Sequence, residues 1–176
     1  MTLFSAFPSR KAVFESMEVF MIRLQIVAPD QRQLLFNLNQ KYLYEMTNYY
    51  DDPLDEWGNL HYGHFDEYFT DPARTALLIY DDDALSGFAM LNPYSYFGGK
   101  TGHVMAEFTI FPMYRRRHLA TRAAEAVFAR CPGRWEVKFN EKNAAARALW
   151  TRVTARYAPT VRHLNDEETV LCFAVE

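Results

Sequence analysis

A chain of 176 residues, 49% hydrophobic and 16% aromatic, carries enough apolar side chain for one compact domain and is too rich in it for a disordered class. A formal charge of -3 and a pI near 6.0 exclude a broad basic footprint, which argues against nucleic acid and anionic membrane as partners and leaves any polyanion to be met locally. No apolar run approaches the roughly 18 residues that cross a bilayer, and Cys131 and Cys172 stand outside CxxC or Cys/His spacing, so a reducing, cytoplasmic setting without zinc is expected.

Residues 1–20 read as an N-terminal extension, with Arg10, Lys11, Glu15 and Glu18 breaking any secretory leader, and 21–176 as a single domain. IRLQIV opens that domain as a strand. The segment DQRQLLFNLNQKYLYEM predicts a long helix with Asp30 as N-cap and Gln33 three residues on, and with Leu35, Leu38, Tyr42 and Met46 on one face. Residues 47–70 mix aromatics with acids and are interrupted by Pro53, Gly58 and Gly63, with a short helix around His64 to Phe69.

TALLIY, the turn DDD and ALSGFAML form a hairpin signal, and NPYSYFGGKTG then leads into HVMAEFTIF (103–111), which makes three adjacent antiparallel strands. A helix follows over 117–130, its apolar stripe running through Leu119, Ala123 and Val127 and stopped by Cys131-Pro132-Gly133. RWEVKF alternates as a strand with Trp135, Val137 and Phe139 on one face. A second helix from about Asn140–Asn143 places Ala146, Leu149, Trp150 and Val153 together, and a terminal hairpin closes the chain.

The stretch MYRRRHLATRAA sets Arg115, Arg116 and Arg117 immediately before a helix N-terminus. Such a terminus presents unpaired N–H groups and about half a positive charge, an arrangement that suits a pyrophosphate. Arginine there is electrostatically unfavourable without an anion, so the cluster asks for a ligand.

FTIFPMYRRRHLA resembles the acyl-CoA signature of the GNAT superfamily of N-acetyltransferases, a strand and a proline turn followed by Gln/Arg-x-x-Gly-x-Gly/Ala opening a helix. Arg115 matches the leading position, His118 stands at the first glycine and Ala120 at the last. About 20 residues on, Asn143, Ala146, Leu149 and Trp150 are similar to the family's Asn-x-x-Ala-x-x-Leu-Tyr pattern.

The resemblance implies an α/β (mixed α+β) GNAT fold, with a mostly antiparallel mixed sheet of about seven strands and about four helices. It also implies transfer of an acetyl group from acetyl-CoA to an amine of a small molecule or peptide, and leaves a homodimer open. The implied cofactor set is Phe108, Ile110 and Phe111 on the strand edge, Arg115, Arg116, Arg117, His118, Leu119, Ala120 and Thr121 at the helix start, and Asn143, Ala146 and Trp150 in the next unit. No metal is expected.

Two departures weigh on that reading. His118 replaces a glycine that lets backbone approach phosphate, and Trp150 stands where many members carry a tyrosine that protonates the leaving thiolate, work for which an indole N–H is far too weak an acid. They motivate an alternative, a CoA-binding sensor or interaction module without turnover.

On the acceptor side, simple alternation along HVMAEFTIF groups Met105, Glu107, Thr109 and Phe111 on one face. Glu107, the one acid in that strand, is either a base or amine-binding group or half of a buried ion pair. The segment 49–69, with Tyr49, Tyr50, Trp57, Tyr62, Asp66 and Tyr68, falls where the family builds its acceptor wall. It is either that wall, which would favour a cationic amine, or a solubilising loop with aromatic anchors. His61, His64 and His103 have no metal-ligand spacing.

Overall fold

The computed structural model describes residues 21–115 and 118–176. Residues 1–20, Arg116 and Arg117 lie outside the described residues, and so do the extension reading and two of the three clustered arginines.

Seven strands form one sheet, β1 (Ile22–Ile26), β2 (Thr75–Asp81), β3 (Ala84–Tyr94), β4 (Lys100–Ile110), β5 (Gly133–Asn140), β6 (Thr160–His163) and β7 (Glu168–Val175), in the order β1-β2-β3-β4-β5-β7-β6. Every pairing is antiparallel except β4 with β5. Four helices flank the sheet, α1 (Arg32–Met46), α2 (Glu67–Thr70), α3 (Leu119–Arg130) and α4 (Ala144–Thr154). The expected element order and fold class therefore hold.

Apolar residues alternate along the strands and recur at helical spacing along α3 and α4, which sorts the core into two layers. Leu77, Ala89, Met105, Trp135 and Val137 pack with α3 and α4 residues on one face of the sheet. Leu78, Phe88 and Met90 pack with Leu35 of α1 and Tyr68 of α2 on the other.

Several boundaries differ from the sequence reading, α2 spanning Glu67–Thr70 rather than 64–69 and α3 beginning at Leu119 rather than at 117. Pro29 fixes a single 3-10 turn over Pro29–Gln31 ahead of α1, so Gln31 rather than Gln33 closes the turn, its Oε1 accepting from Ala28 N (3.1 Å), and Asp30 makes no side-chain cap. The segment expected as a loop at 92–102 is partly strand, since β3 runs to Tyr94 and β4 begins at Lys100.

The relation between β4 and β5 positions the site. Their parallel pairing covers His103, Val104 and Met105 against Trp135, Glu136 and Val137, and then stops although both strands continue. At its closed end the wedge is tight, for a Cβ on Gly102 would stand 2.6 Å from Arg134 O. Beyond Met105 the β4 edge has no strand partner among the described residues.

Candidate active site

A second irregularity sits at the point where the strands part. Across the β3–β4 ladder Met90 faces Glu107 while Leu91 faces Met105, so Ala106 is an unpaired bulge residue. The bulge flips the alternation. Met105 joins Phe108 and Ile110 on the α3/α4 face, and not the face of Glu107 as simple alternation predicts. Glu107 is thereby turned to the α1 side, opposite Met90, with Thr109 and Phe111 following it.

A cleft of about 720 Å³ opens here, lined by β4 from Val104 to Ile110, by Lys138 and Asn140 of β5, by Tyr42 of α1, and by Tyr50, Tyr62 and Tyr96 from the connecting segments. Glu107 is its most perturbed acid. Burial raises the carboxyl to about 7, while hydrogen bonding from the Tyr42 and Tyr62 phenols and the charge of Lys138 pull partly back. The reciprocal effect appears on Tyr42 and Tyr62, whose phenols are held well above their ordinary value by burial first and by the Glu107 charge second.

Glu107 is not half of an ion pair among the described residues. Lys138, whose charge acts on Glu107, pairs with Glu168, which also accepts from Tyr50 Oη (3.1 Å). Glu136 on the same strand has a structural task, accepting from Ser95 Oγ (2.7 Å) and Tyr96 N (3.0 Å) and so anchoring the β3–β4 turn that carries Tyr96.

The cofactor-side residues separate into those that converge and those that do not. Phe108 and Ile110 lie on the open β4 stretch, and Phe108 packs edge-on against Trp150 (5.1 Å between centroids). Phe111 packs in the α1-side layer. Leu119 is 1% exposed, its side chain packed in the core, whereas Ala120 lines the cleft. The first-turn N–H groups of α3 at Leu119, Ala120 and Thr121 lack intrahelical acceptors, as at any helix start.

Arg115 is held by two neighbours. Its guanidinium makes a two-point contact with Glu45 of α1 (2.6 and 2.7 Å), and its Nε donates to Ile110 O (2.7 Å), so each of its nitrogens has a partner. A different cation, Arg152 of α4, reaches the α3 start by donating to Thr121 Oγ1 (3.2 Å). Nothing in the sequence signals that contact beyond a basic residue two positions after Trp150.

His118, at the position of the family's first glycine, precedes α3 at φ +56°, ψ +10°, in the left-handed region that favours glycine. Asn143 caps α4 by accepting from Ala146 N (3.0 Å), which occupies its oxygen in helix initiation. Trp150 is 5% exposed and packs against Phe108 and Phe128. It is a core residue at the base of the cleft.

The acidic and aromatic segment divides as well. Tyr49, Tyr50, Asp52, His61, Tyr62 and His64 line the cleft, Tyr68 is buried, and Trp57 is 80% exposed. Asp66 turns outward to pair with Arg32. His64 contacts Glu67 (2.8 Å), and His103 stacks on Trp135. No group of three or more potential metal ligands occurs among the described residues. Tyr42, Tyr96, Lys138 and Asn140, from elements far apart in sequence, are among the cleft residues that the sequence reading did not place in the site.

Residues 41–154, well over half of the chain, match the model of the acetyltransferase (GNAT) family. The chain belongs to the GNAT family. This acetyltransferase is similar in fold to the PaiA N-acetyltransferase of Thermoplasma acidophilum in complex with coenzyme A, at 10% identity and a TM-score of 0.57 over 88% of this chain and 99% of that one. An acetyltransferase of Thermus thermophilus aligns at 18% identity and 0.58 over 89% and 97%. The dodecameric spermidine N-acetyltransferase of Vibrio cholerae aligns at 15% and 0.54 over 88% and 92%. No curated protein matches the chain. As a GNAT member it is an acyltransferase, and none of its helices among the described residues is long and apolar enough to cross a membrane.

Proposed function

We propose that this acyltransferase moves an acetyl group from acetyl-CoA to an amine of a small molecule or peptide, with Glu107 receiving the amine proton. The observation that carries the reading is the pairing of an open β4 edge with a carboxyl of pKa about 7 at its bulge.

The residues suit acetyl-CoA by chemistry. On the β4 edge that has no strand partner beyond Met105, the backbone of Phe108 and the N–H of Ile110 would offer hydrogen bonds to an amide-bearing chain, and the free N–H groups at the start of α3 suit a pyrophosphate. Arg152 would add charge there, with Arg116 and Arg117 as further candidates. Acetyl-CoA would supply the activated thioester.

The chain's own groups do the rest. An amine arrives as a cation, which the tyrosine faces and the Glu107 charge both favour. A carboxylate of pKa about 7 is half ionised near neutrality and so can take a proton from the ammonium or from the attacking nitrogen. The Tyr42 and Tyr62 phenols hold it oriented. Trp150 supplies no proton, so the departing thiolate takes one from water or from a tyrosine of the cleft. Unpaired Cys131 and Cys172 fit a reducing cytoplasm.

The absence of an acid at Trp150 is what favours the alternative, a CoA-binding module without turnover. Release of CoA thiol across an amine library, with mass spectrometry of the product, decides between them. An acetylated amine supports transfer; CoA binding without product from any amine supports the module.

A further inference from the structure

Glu107 and Lys138 stand on either side of the point where β4 and β5 part. Val137 is the last β5 residue to pair with β4, and Lys138 follows it. Its partner is Met105, which the single bulge residue Ala106 separates from Glu107. Trp135, Val137 and Phe139 pack on the α3/α4 face, so Lys138 between them lies on the α1 side, the side to which the bulge turns Glu107. Both side chains line the same cleft.

Three groups hold Lys138 in place. Its ammonium pairs with Glu168 and lies 5.7 Å from the Tyr50 ring and 5.3 Å from the Tyr96 ring. Glu168 is fixed in turn, accepting from Tyr50 Oη (3.1 Å) and Asn165 Nδ2 (2.9 Å). Burial would raise that carboxyl, but the Lys138 ammonium and the other two donors overcome it and hold Glu168 below its ordinary value, so it stays ionised at neutral pH. The ammonium is therefore half of a permanent pair, neutralised only in part.

Its effect on Glu107 follows from what else surrounds that carboxyl. The other titratable groups with which Glu107 interacts are phenols, namely Tyr42 of α1, Tyr50 and Tyr62 of the segment after it, Tyr68 of α2 and Tyr96 of the β3–β4 turn. Each is raised by burial first and so stays neutral. Lys138 is the charged member of this set among the described residues. Burial favours the protonated acid, which cannot take a proton from an amine, whereas a nearby ammonium favours the carboxylate. A direct ion pair would go too far and leave a weak base. A lysine committed to Glu168 lies between these extremes.

We propose that Lys138 is a positioning residue for acetyl transfer, an ammonium that keeps Glu107 ionised enough to act as the base, with Glu168 setting how much of that charge Glu107 feels. This inference rests on the acetyl-transfer reading above and adds the group that adjusts its base.

Two readouts on the full chain test it, each followed from about pH 5.5 to 9. One is the carboxyl resonance of Glu107 in protein made with isotope-labelled glutamate, assigned by its loss in Glu107→Gln, and the other is the single-turnover rate of acetyl transfer. Both inflections should rise by at least about 0.5 pH unit in Lys138→Met, fall by a similar amount in Glu168→Gln, and stay near the wild-type value in Lys138→Arg, which keeps the charge. Transfer by Lys138→Met should then be about threefold or more slower at pH 6 and within about twofold of the wild type at pH 9, a recovery that a merely structural defect would not show. Lys138→Met strands the Glu168 charge; should it fail to fold, the Lys138→Met/Glu168→Gln double variant strands neither, and its inflections should lie above those of Glu168→Gln by the same margin. Unchanged inflections overturn the proposal, as do shifts of the same sign in both single variants, a rate that does not recover at pH 9, or a resonance that moves while the rate profile does not. A wild-type rate without an inflection that Glu107→Gln removes defeats the transfer reading and this role with it, and the resonance then still reports whether Lys138 acts on Glu107.

Discussion

Glu45 of α1 and Arg115, which follows the 3-10 turn after β4, are joined by two hydrogen bonds of 2.6 and 2.7 Å across 70 positions of sequence. The pair ties α1 to the turn that leads from β4 toward α3. Both side chains are more than one third exposed, so the bridge contributes no more than about 1 kcal/mol to stability. Glu45→Gln and Arg115→Gln should each lower the melting temperature by only a few degrees, and the double variant by no more than either alone. If Arg115 meets the cofactor phosphates, as the resemblance implies, Glu45 competes with them for the guanidinium; Glu45→Gln should then tighten CoA severalfold by calorimetry, and this gain should vanish in the Arg115→Gln background.

His118→Gly relieves a left-handed conformation that disfavours a side chain by about 1 to 2 kcal/mol, offset in part by the greater freedom of glycine in the unfolded chain. A melting temperature higher by about 2 to 4 °C is expected, with CoA affinity equal or better. A large loss of affinity would identify the imidazole as a ligand.

The order of elements was legible because α3, α4 and β5 carry clean apolar periods, and because the turn at Asp82 and the stop at Cys131-Pro132-Gly133 have local chemistry. What escaped was non-local or silent in hydrophobicity. The bulge at Ala106 cannot be read from Met105-Ala106-Glu107-Phe108, since apolar residues stand on both sides of it and only pairing with Met90 and Leu91 reveals the shift. The engagement of Arg115 depends on Glu45, and the phenols around Glu107 converge from α1 and two connecting segments. The left-handed backbone of His118 at the start of α3 is not something that its residue type specifies.

Trp150 fills the space between Phe108 and Phe128, so its size matters more than its N–H. Trp150→Ala should cost about 3 to 5 kcal/mol and lower the melting temperature by about 10 °C. Trp150→Phe keeps an aromatic ring on Phe108 and should cost well under half as much. Differential scanning calorimetry on the two variants checks the ranking.

Glu107 links stability to pH. Its carboxyl titrates at about 7 in the folded protein against 4.5 for the free group, so the folded state retains a proton that the unfolded state loses first. Stability from this group is therefore full below about pH 4.5, falls as pH rises toward 7, and is flat above, with a total of up to about 3 kcal/mol. Glu107→Gln removes that decline and should match or exceed the wild-type melting temperature at pH 8. A loss of about 3 to 5 kcal/mol in the Gln variant would instead signal a stranded ion-pair partner.

The most direct test is the single-turnover rate of acetyl transfer to a reactive amine, measured from about pH 5.5 to 9 with saturating acetyl-CoA for the wild type and Glu107→Gln. The wild-type rate should rise through an inflection near 7, the value that burial gives Glu107, and the variant should run about 10²-fold slower without that inflection. A folded Glu107→Gln protein that transfers acetyl at the wild-type rate, with the same inflection, would contradict the account.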